Sequence, residues 1–163
     1  MTTGANTHIV TDGKLSIKLG ATSTVLEHKL GSRATGNNGT VWRYVRATVA
    51  ISQYDTVTFT NAWLAQPATG TSVATGGNIG FAQVAFAAGE YGWVCTEADK
   101  ITVSVSATCA PATQLYIATT SGKLSTTSGS GTLAGVFTDT NVSTTATVTL
   151  TTAIARAPTY KVL

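Results

Sequence analysis

Charge is scarce in this sequence. Only 10% of its 163 residues are Asp, Glu, Lys or Arg, against about a quarter in an ordinary soluble domain. A helical bundle needs charged side chains on its wet faces, so that architecture is disfavoured at the outset. Histidine and cysteine each occur twice and proline three times. Two cysteines, Cys95 and Cys109, are too few for a disulfide scaffold and lack the paired spacing of a zinc site. The most apolar window, around Gly80 to Ala88, falls well short of the ~20 residues that span a bilayer as a helix. The opening MTTGANTHIV has no basic stretch running into an apolar one, so no secretory signal is expected. With 16 Gly and 3 Pro, wholesale disorder is not expected either. The chain reads as one soluble domain, made inside a cell and mostly folded.

What is abundant points to sheet. The sequence holds 33 Thr, 23 Ala and 12 Ser, and its hydrophobic share is 43%, which is enough for a core. Thr and Val suit a pleated surface better than a helix, and hydroxyls in place of charges would cover the wet faces. That is an all-β composition.

The charges present are unevenly placed. Residues 1–46 carry six cations, Lys14, Lys18, Lys29, Arg33, Arg43 and Arg46, against Asp12 and Glu27. The remainder carries four cations against five carboxylates. A basic leading segment on a near-neutral body suggests a part that meets an acidic surface. The six are too dispersed to form a nucleic-acid cluster. Residues 1–40 also hold six glycines and no Phe, Trp or Tyr, and read as an extended arm. Within it Leu15, Ile17 and Leu19 alternate as in a short strand, and Val25, Leu26 and Leu30 read as anchors between turns.

From Val41 the pattern changes. Val41 to Ile51, a turn at Gln53-Tyr54-Asp55 and Thr56 to Thr60 read as a hairpin. Gln66 to Asn78, with Pro67 and three glycines, reads as a loop. Ile79 to Phe86 and Tyr91 to Thr96 flank a turn at Ala87–Glu90. A second turn, Glu97-Ala98-Asp99-Lys100, would lead into Ile101 to Ala107, with Ile101, Val103 and Val105 inward and Thr102, Ser104 and Ser106 in water. Across that turn Cys95 would face Thr102, leaving Cys109 out of reach, so two small buried thiols are expected and no intrachain disulfide. Leu115–Ala118, Leu133–Phe137 and Ala146–Leu150 complete the alternation. The whole reads as an antiparallel sandwich or small barrel of about eight to ten short strands. Its domains are an extended N-terminal arm over 1–40, a β-domain over 41–157 and a C-terminal tail over 158–163. Sparse charge leaves strand edges poorly protected from other chains, which argues for an oligomer.

The residues offer little for catalysis. Nucleophilic chemistry needs a base beside Ser or Cys, and the two histidines, His8 and His28, lie in the expected arm. No Gly-Xaa-Ser-Xaa-Gly elbow occurs around Ser128-Gly129-Ser130-Gly131, and Gly122-Lys123 has no upstream glycine run to form a phosphate loop. Glu90, Glu97 and Asp99 fall in expected turns, and Asp139 with Asn141 supplies too few carboxylates for calcium. Trp42, Tyr91 and Trp93 sit in alternating strands, where packing is their default role. No catalytic, cofactor-binding or metal site is expected.

Three blocks carry a resemblance. They are Gly39-Thr40-Val41-Trp42-Arg43-Tyr44-Val45; Gly80-Phe81-Ala82-Gln83-Val84-Ala85 with Gly89-Glu90-Tyr91-Gly92-Trp93-Val94; and Leu115-Tyr116, Ser121-Gly122-Lys123-Leu124 and Leu133-Ala134-Gly135-Val136. Together, over roughly residues 39–150, the chain resembles the capsid decoration, or cement, proteins of tailed bacteriophages. That resemblance implies a non-enzymatic virion protein made in the host cytoplasm. It would be a β-rich homo-oligomer, a homotrimer by preference, on the outer surface of the major capsid protein shell, stabilising it after expansion. No direct nucleic-acid or membrane contact is implied. Lys14, Lys18, Lys29 and Arg33, with Arg43 and Arg46 at the arm's base, are the expected partner-binding residues. The alternative is a carbohydrate- or receptor-binding β module of a tail, fibre or cell surface, which would need exposed Trp or Tyr.

Overall fold

The computed structural model describes residues 18–36, 39–70, 78–106, 108–127, 132–139 and 149–161. Eleven strands, linked by hydrogen bonds into one continuous mixed sheet, are its named elements among these residues. They are β1 (Thr22–Ser23), β2 (Arg33–Thr35), β3 (Val41–Ala47), β4 (Thr56–Phe59), β5 (Leu64–Pro67), β6 (Asn78–Ala82), β7 (Tyr91–Val105), β8 (Gln114–Ile117), β9 (Leu124–Ser125), β10 (Thr132–Thr138) and β11 (Thr149–Lys161). The all-β class holds. Most pairings are antiparallel, but β5 runs parallel to β3 and β9 parallel to β7.

The architecture turns on β7. At 15 residues it is far longer than a usual strand of about 5–6. Its first half pairs with β1, β3 and β6, its second half with β9 and β11. The expected turn at Glu97–Lys100 is therefore absent; the chain continues straight through it. Register shifts fall here instead, at Val41/Trp42 in the β3 pairing and at Ala153/Ala155 in the β11 pairing. The polar run marks an irregularity that sends Glu97, Asp99 and Lys100 outward while Ala98 stays 5% exposed in the core. Such bulges re-aim a strand without reversing it.

β3 explains why one layer has two cores. Trp42 and Tyr44 enter one apolar cluster, Val45 and Ala47 the other, as period-two alternation requires. The larger cluster joins both halves of the sheet, packing Tyr44, Phe81 and Trp93 with Leu115, Ile117 and Leu133. The smaller gathers Ile51, Val57, Phe59, Phe86 and Val94. β4 is buried at every position, so Thr56 and Thr58 do not face water, and Ser104 is likewise buried at 1%.

Further expectations change. β3 and β4 do not form a hairpin, because β5 inserts between them, parallel to β3 and antiparallel to β4. The Ser52–Asp55 turn is present, closed by the Asp55 N–H donating to the Ser52 carbonyl at 3.2 Å. Of the expected loop Gln66–Asn78, Gln66 and Pro67 belong to β5 and Asn78 to β6, and residues 71–77 lie outside the described residues. Of the expected strand Ile79–Phe86 only the first part is strand: β6 ends at Ala82, and Phe86 makes an isolated bridge to Ile51. β6 pairs antiparallel with β7, and the intervening turn is held by Glu90, whose Oε2 accepts the Ala87 N–H at 2.8 Å. β8 and β10 lie where expected, but the last strand is β11, Thr149–Lys161, where Ala146–Leu150 was expected. It overlaps that reading only at Thr149–Leu150 and runs through most of the expected 158–163 tail, and residues 146–148 lie outside the described residues.

Residues 1–17 lie outside the described residues, among them Lys14, His8, Leu15 and Ile17. The stretch from Lys18 onward is built onto the body. β1 pairs with the start of β7 and β2 with β3, and Leu19 and Ala34 are buried at 3% and 0%.

Candidate interaction surface

The expected binding residues divide into two kinds. Lys18, Lys29 and Arg33 are exposed. Arg33 is the register partner of Arg43 across β2 and β3, which puts two guanidinium-bearing residues side by side on one face. Arg43 is half-buried because it serves the fold. Its guanidinium lies 5.5 Å from the Trp63 ring centre, and its Nη1 donates to the Gly31 carbonyl at 3.1 Å. Arg46, three residues on, covers Tyr91 at 5.7 Å. Such cation–aromatic contacts contribute about 0.5–1 kcal/mol at exposed sites.

Between β1 and β2 the chain crosses Tyr44 and Trp93. His28 sits half-buried on them, its ring centre 5.1 Å from Tyr44 and 5.3 Å from Trp93, so it packs against strands rather than hanging in an arm. Leu30 packs on the same core. The Glu27 N–H donates to the Tyr44 hydroxyl at 3.4 Å, and the Val25 N–H to Ser23 Oγ at 3.0 Å. Burial raises the Tyr44 pKa above its ordinary value, so the phenol stays neutral. The loop then closes at Gly31, which has φ 81° and lies so close under Trp63 that a Cβ would meet the indole at 2.2 Å. Only glycine fits there.

That bracing leaves Val25 and Leu26 in water, 66% and 53% exposed. Read from sequence as anchors, they are the reverse, and Leu30 alone fills that role. Spacing carried no signal for this, since what points inward is decided by where Tyr44 and Trp93 lie. The loop therefore presents two apolar side chains beside Glu27 and Lys29, with Lys18 and Arg33 at its ends.

The remaining candidate groups are tied up in structure. Lys123 Nζ donates to Asp55 Oδ1 at 2.7 Å, with the side chains 13% and 6% exposed. Asp55 Oδ2 accepts the Ser52 N–H at 3.1 Å. Gly122, at φ 75°, passes so near that a Cβ would meet the Asp55 carboxyl carbon at 2.5 Å. The Gly-Lys pair thus locks two turns together. Cys95 and Cys109 are buried thiols that form no disulfide. Burial pushes the Cys95 pKa up to about 12, so its Sγ–H stays on and donates to the Glu97 carbonyl at 3.4 Å. Asp139 pairs with Lys100 at 2.8 Å, and residues 140–141 and 128–131 lie outside the described residues. Among the described residues no three His, Cys, Asp or Glu gather as a metal site, and no helix is long and apolar enough to cross a membrane.

No protein-family model and no curated protein matches this sequence. The geometry must carry the functional argument.

Proposed function

We propose that this chain is a non-enzymatic virion protein that binds the outer surface of a phage capsid and stabilises the expanded shell through many weak contacts. The observation that carries this is the braced loop and strand of residues 18–35. Its inward side chains join the core while Lys18, Lys29, Arg33, Val25 and Leu26 stand outward. A rigid apolar and basic surface of this kind fits docking on an acidic protein shell, because ordering costs at the interface are already met. Repetition over a lattice then multiplies a modest single-site affinity, by about 10²–10⁴ for linked copies. The sequence blocks that resemble decoration proteins lie in this same fold.

The packing of the aromatic rings supports this reading over a sugar-binding platform. Tyr44 and Trp93 are each 2% exposed, and the half-buried Trp63 and Tyr91 lie under arginines.

The test is co-sedimentation of the purified full chain with immature and expanded phage shells. Binding to expanded shells alone is expected, weakening as salt rises. The triple charge reversal Lys18→Glu, Lys29→Glu, Arg33→Glu should lower occupancy at least tenfold. Equal occupancy by that variant, or no shell binding by the native chain, refutes the proposal. Deleting residues 1–38 is a poor substitute, since it removes Leu19 and Ala34 from the core.

A further inference from the structure

β7 belongs to two units of one design. In the first unit β3 pairs parallel with β5, and the ring then runs antiparallel from β5 to β4, β4 to β6, β6 to β7 and β7 back to β3. In the second, β7 pairs parallel with β9, and the ring runs antiparallel from β9 to β8, β8 to β10, β10 to β11 and β11 back to β7. The match extends to single bonds. The Tyr54 N–H donates to the Ala82 carbonyl at 2.8 Å, and the Ala82 N–H to the Asp55 carbonyl at 2.9 Å. In the second unit the Ala112 N–H donates to the Thr138 carbonyl at 2.8 Å, and the Thr138 N–H to the Thr113 carbonyl at 3.0 Å. Tyr54 and Ala112 share a positive φ, 68° and 58°. Val45-Arg46-Ala47-Thr48-Val49-Ala50 in the first unit also answers to Val105-Ser106-Ala107-Thr108-Cys109-Ala110 in the second.

The units differ at one edge. By this correspondence β11 stands in the second unit where β7 stands in the first. The start of β7 carries β1 on its outer side, Ser23 opposite Tyr91. The start of β11, Thr149–Thr152, pairs with β7, and β10 joins only from Ala153 onward. Among the described residues no strand lies on its other side. The topology explains the gap: β1 comes from the segment ahead of the first unit, whereas β7 itself lies ahead of the second. The Ser104 N–H donates to the Tyr54 carbonyl, and Gln83 Nε2 donates to the Thr102 carbonyl, so Ser104 and Thr102 bond away from β11. Directly opposed residues of an antiparallel pair exchange both bonds or neither. Their partners Leu150 and Thr152 therefore turn N–H and C=O away from β7. From Asn141 to Ala155 the sequence has no charged residue and no proline, the usual guards of an exposed edge.

We infer that the Thr149–Thr152 edge of β11 takes an extended segment of the shell protein as an added strand, in the place that β1 fills on β7. Strand addition is read through the main chain, which suits an edge that offers backbone groups and no charge. Leu150 and Thr152 present one N–H and one C=O each. That is well short of the roughly 10 hydrogen bonds of an interface that stands alone, so the edge serves as a further contact to a partner already held elsewhere. It does not suffice to join two copies of this chain. The inference rests on the reading of the chain as a shell-binding protein and adds a site apart from residues 18–35. The state of the edge is measured without shells, so its failure and the failure of shell binding are separate results.

The experiment is amide hydrogen exchange on the full chain, free and bound to expanded shells, with the bound chain released and read after quenching. In the free chain the Leu150 amide should exchange about a hundredfold faster than that of Thr151, which bonds to Val103 across the β7 pairing. On shells the Leu150 amide should slow to the Thr151 rate. Leu150→Pro removes the outward N–H while leaving the bonds to β7 in place, and should lower shell occupancy about tenfold. An unchanged Thr151 exchange rate confirms that this variant folds, and the two exchange measurements on the native chain stand without it. A free chain whose Leu150 amide is as slow as that of Thr151 overturns the inference. So does a Leu150 amide that stays fast on shells the chain has bound, or full occupancy by folded Leu150→Pro. A free chain heavier than 16.7 kDa whose Leu150 amide is slow only in the assembled form gives the edge to a second copy and overturns it equally.

Discussion

Replacing Lys123 by Met tests how the two halves of the sheet are held together. Lys123 follows the β8–β9 turn, and Asp55 closes the turn before β4. The Thr56 N–H donates to the Gly122 carbonyl at 2.8 Å, and the Gly122 N–H to the Ala68 carbonyl at 2.9 Å, so the ion pair sits inside a backbone clasp. With the carboxylate 6% exposed, Lys123→Met strands a buried negative charge that still accepts the Ser52 N–H at 3.1 Å. Breaking a buried pair in this way costs about 3–5 kcal/mol. In a domain of this size that lowers the thermal midpoint by roughly 6–20 °C. Asp55→Asn in the Lys123→Met background removes the stranded charge while keeping an acceptor for Ser52, so it should recover about half of the loss. The assay is urea unfolding followed by tryptophan fluorescence, with all four chains of the cycle compared at one pH. A Lys123→Met cost below about 1 kcal/mol, the range of surface pairs, or strict additivity of the two substitutions, would refute the account.

Two further outcomes follow from buried polar groups. Thr56 Oγ1 is buried with no hydrogen-bond partner, so Thr56→Val, which keeps the shape, should stabilise the chain by about 1 kcal/mol; an equal loss in urea midpoint would contradict this. Burial holds the Cys95 pKa at about 12, above the ordinary thiol value of 9.0, and this makes stability depend on alkaline pH. The unfolded thiol ionises first, so stability is intact below pH 9 and is lost as pH rises toward the folded value. From pH 8 to pH 10.5 the loss owed to this thiol is about 2 kcal/mol, and Cys95→Ala should abolish that share of the slope; identical slopes in the two proteins would sink it.

The parts of the fold legible in the sequence were those decided by local alternation. Val41–Ala47, Ile101–Val105 and Leu115–Ile117 were legible as strands from their alternation, but not which side chains would be buried: Ser104, expected in water, is 1% exposed, and β3 buries residues on both faces. The turns at Ser52–Asp55 and Ala87–Glu90 were legible from their polar residues and Gly89. Glu97–Lys100 carried a similar polar signal and was misread, since a run of three charged residues around a small one describes a bulge as well as a reversal. What separates them is whether neighbouring strands continue alongside, and β3 and β11 do. The false hairpin of β3 with β4 failed likewise, because β5 enters from later in the chain. As for the candidate surface, the cations were found by counting. That Arg43 and Arg46 are held over Trp63 and Tyr91 was not, because those rings arrive from residues 20 and 45 positions away.

On the proposed function, the same stretch of chain would be both structural and adhesive, its two roles using opposite sides. Were residues 18–35 a loose arm, Val25 and Leu26 would add flexible apolar surface, and binding would have to order the backbone at about 1–2 kcal/mol per residue. Here His28, Leu30 and Ala34 have already fixed that backbone against Tyr44 and Trp93. The cost of order is met in folding, and contact with a partner gains the burial of two aliphatic side chains at about 25 cal/mol per Å². On that proposal weak single contacts suffice where many copies act together, and the charge around them would favour an acidic partner over a basic one. A surface made this way depends on its underside. Substituting His28 or Leu30, which face away from any partner, should loosen docking as much as substituting Leu26 does.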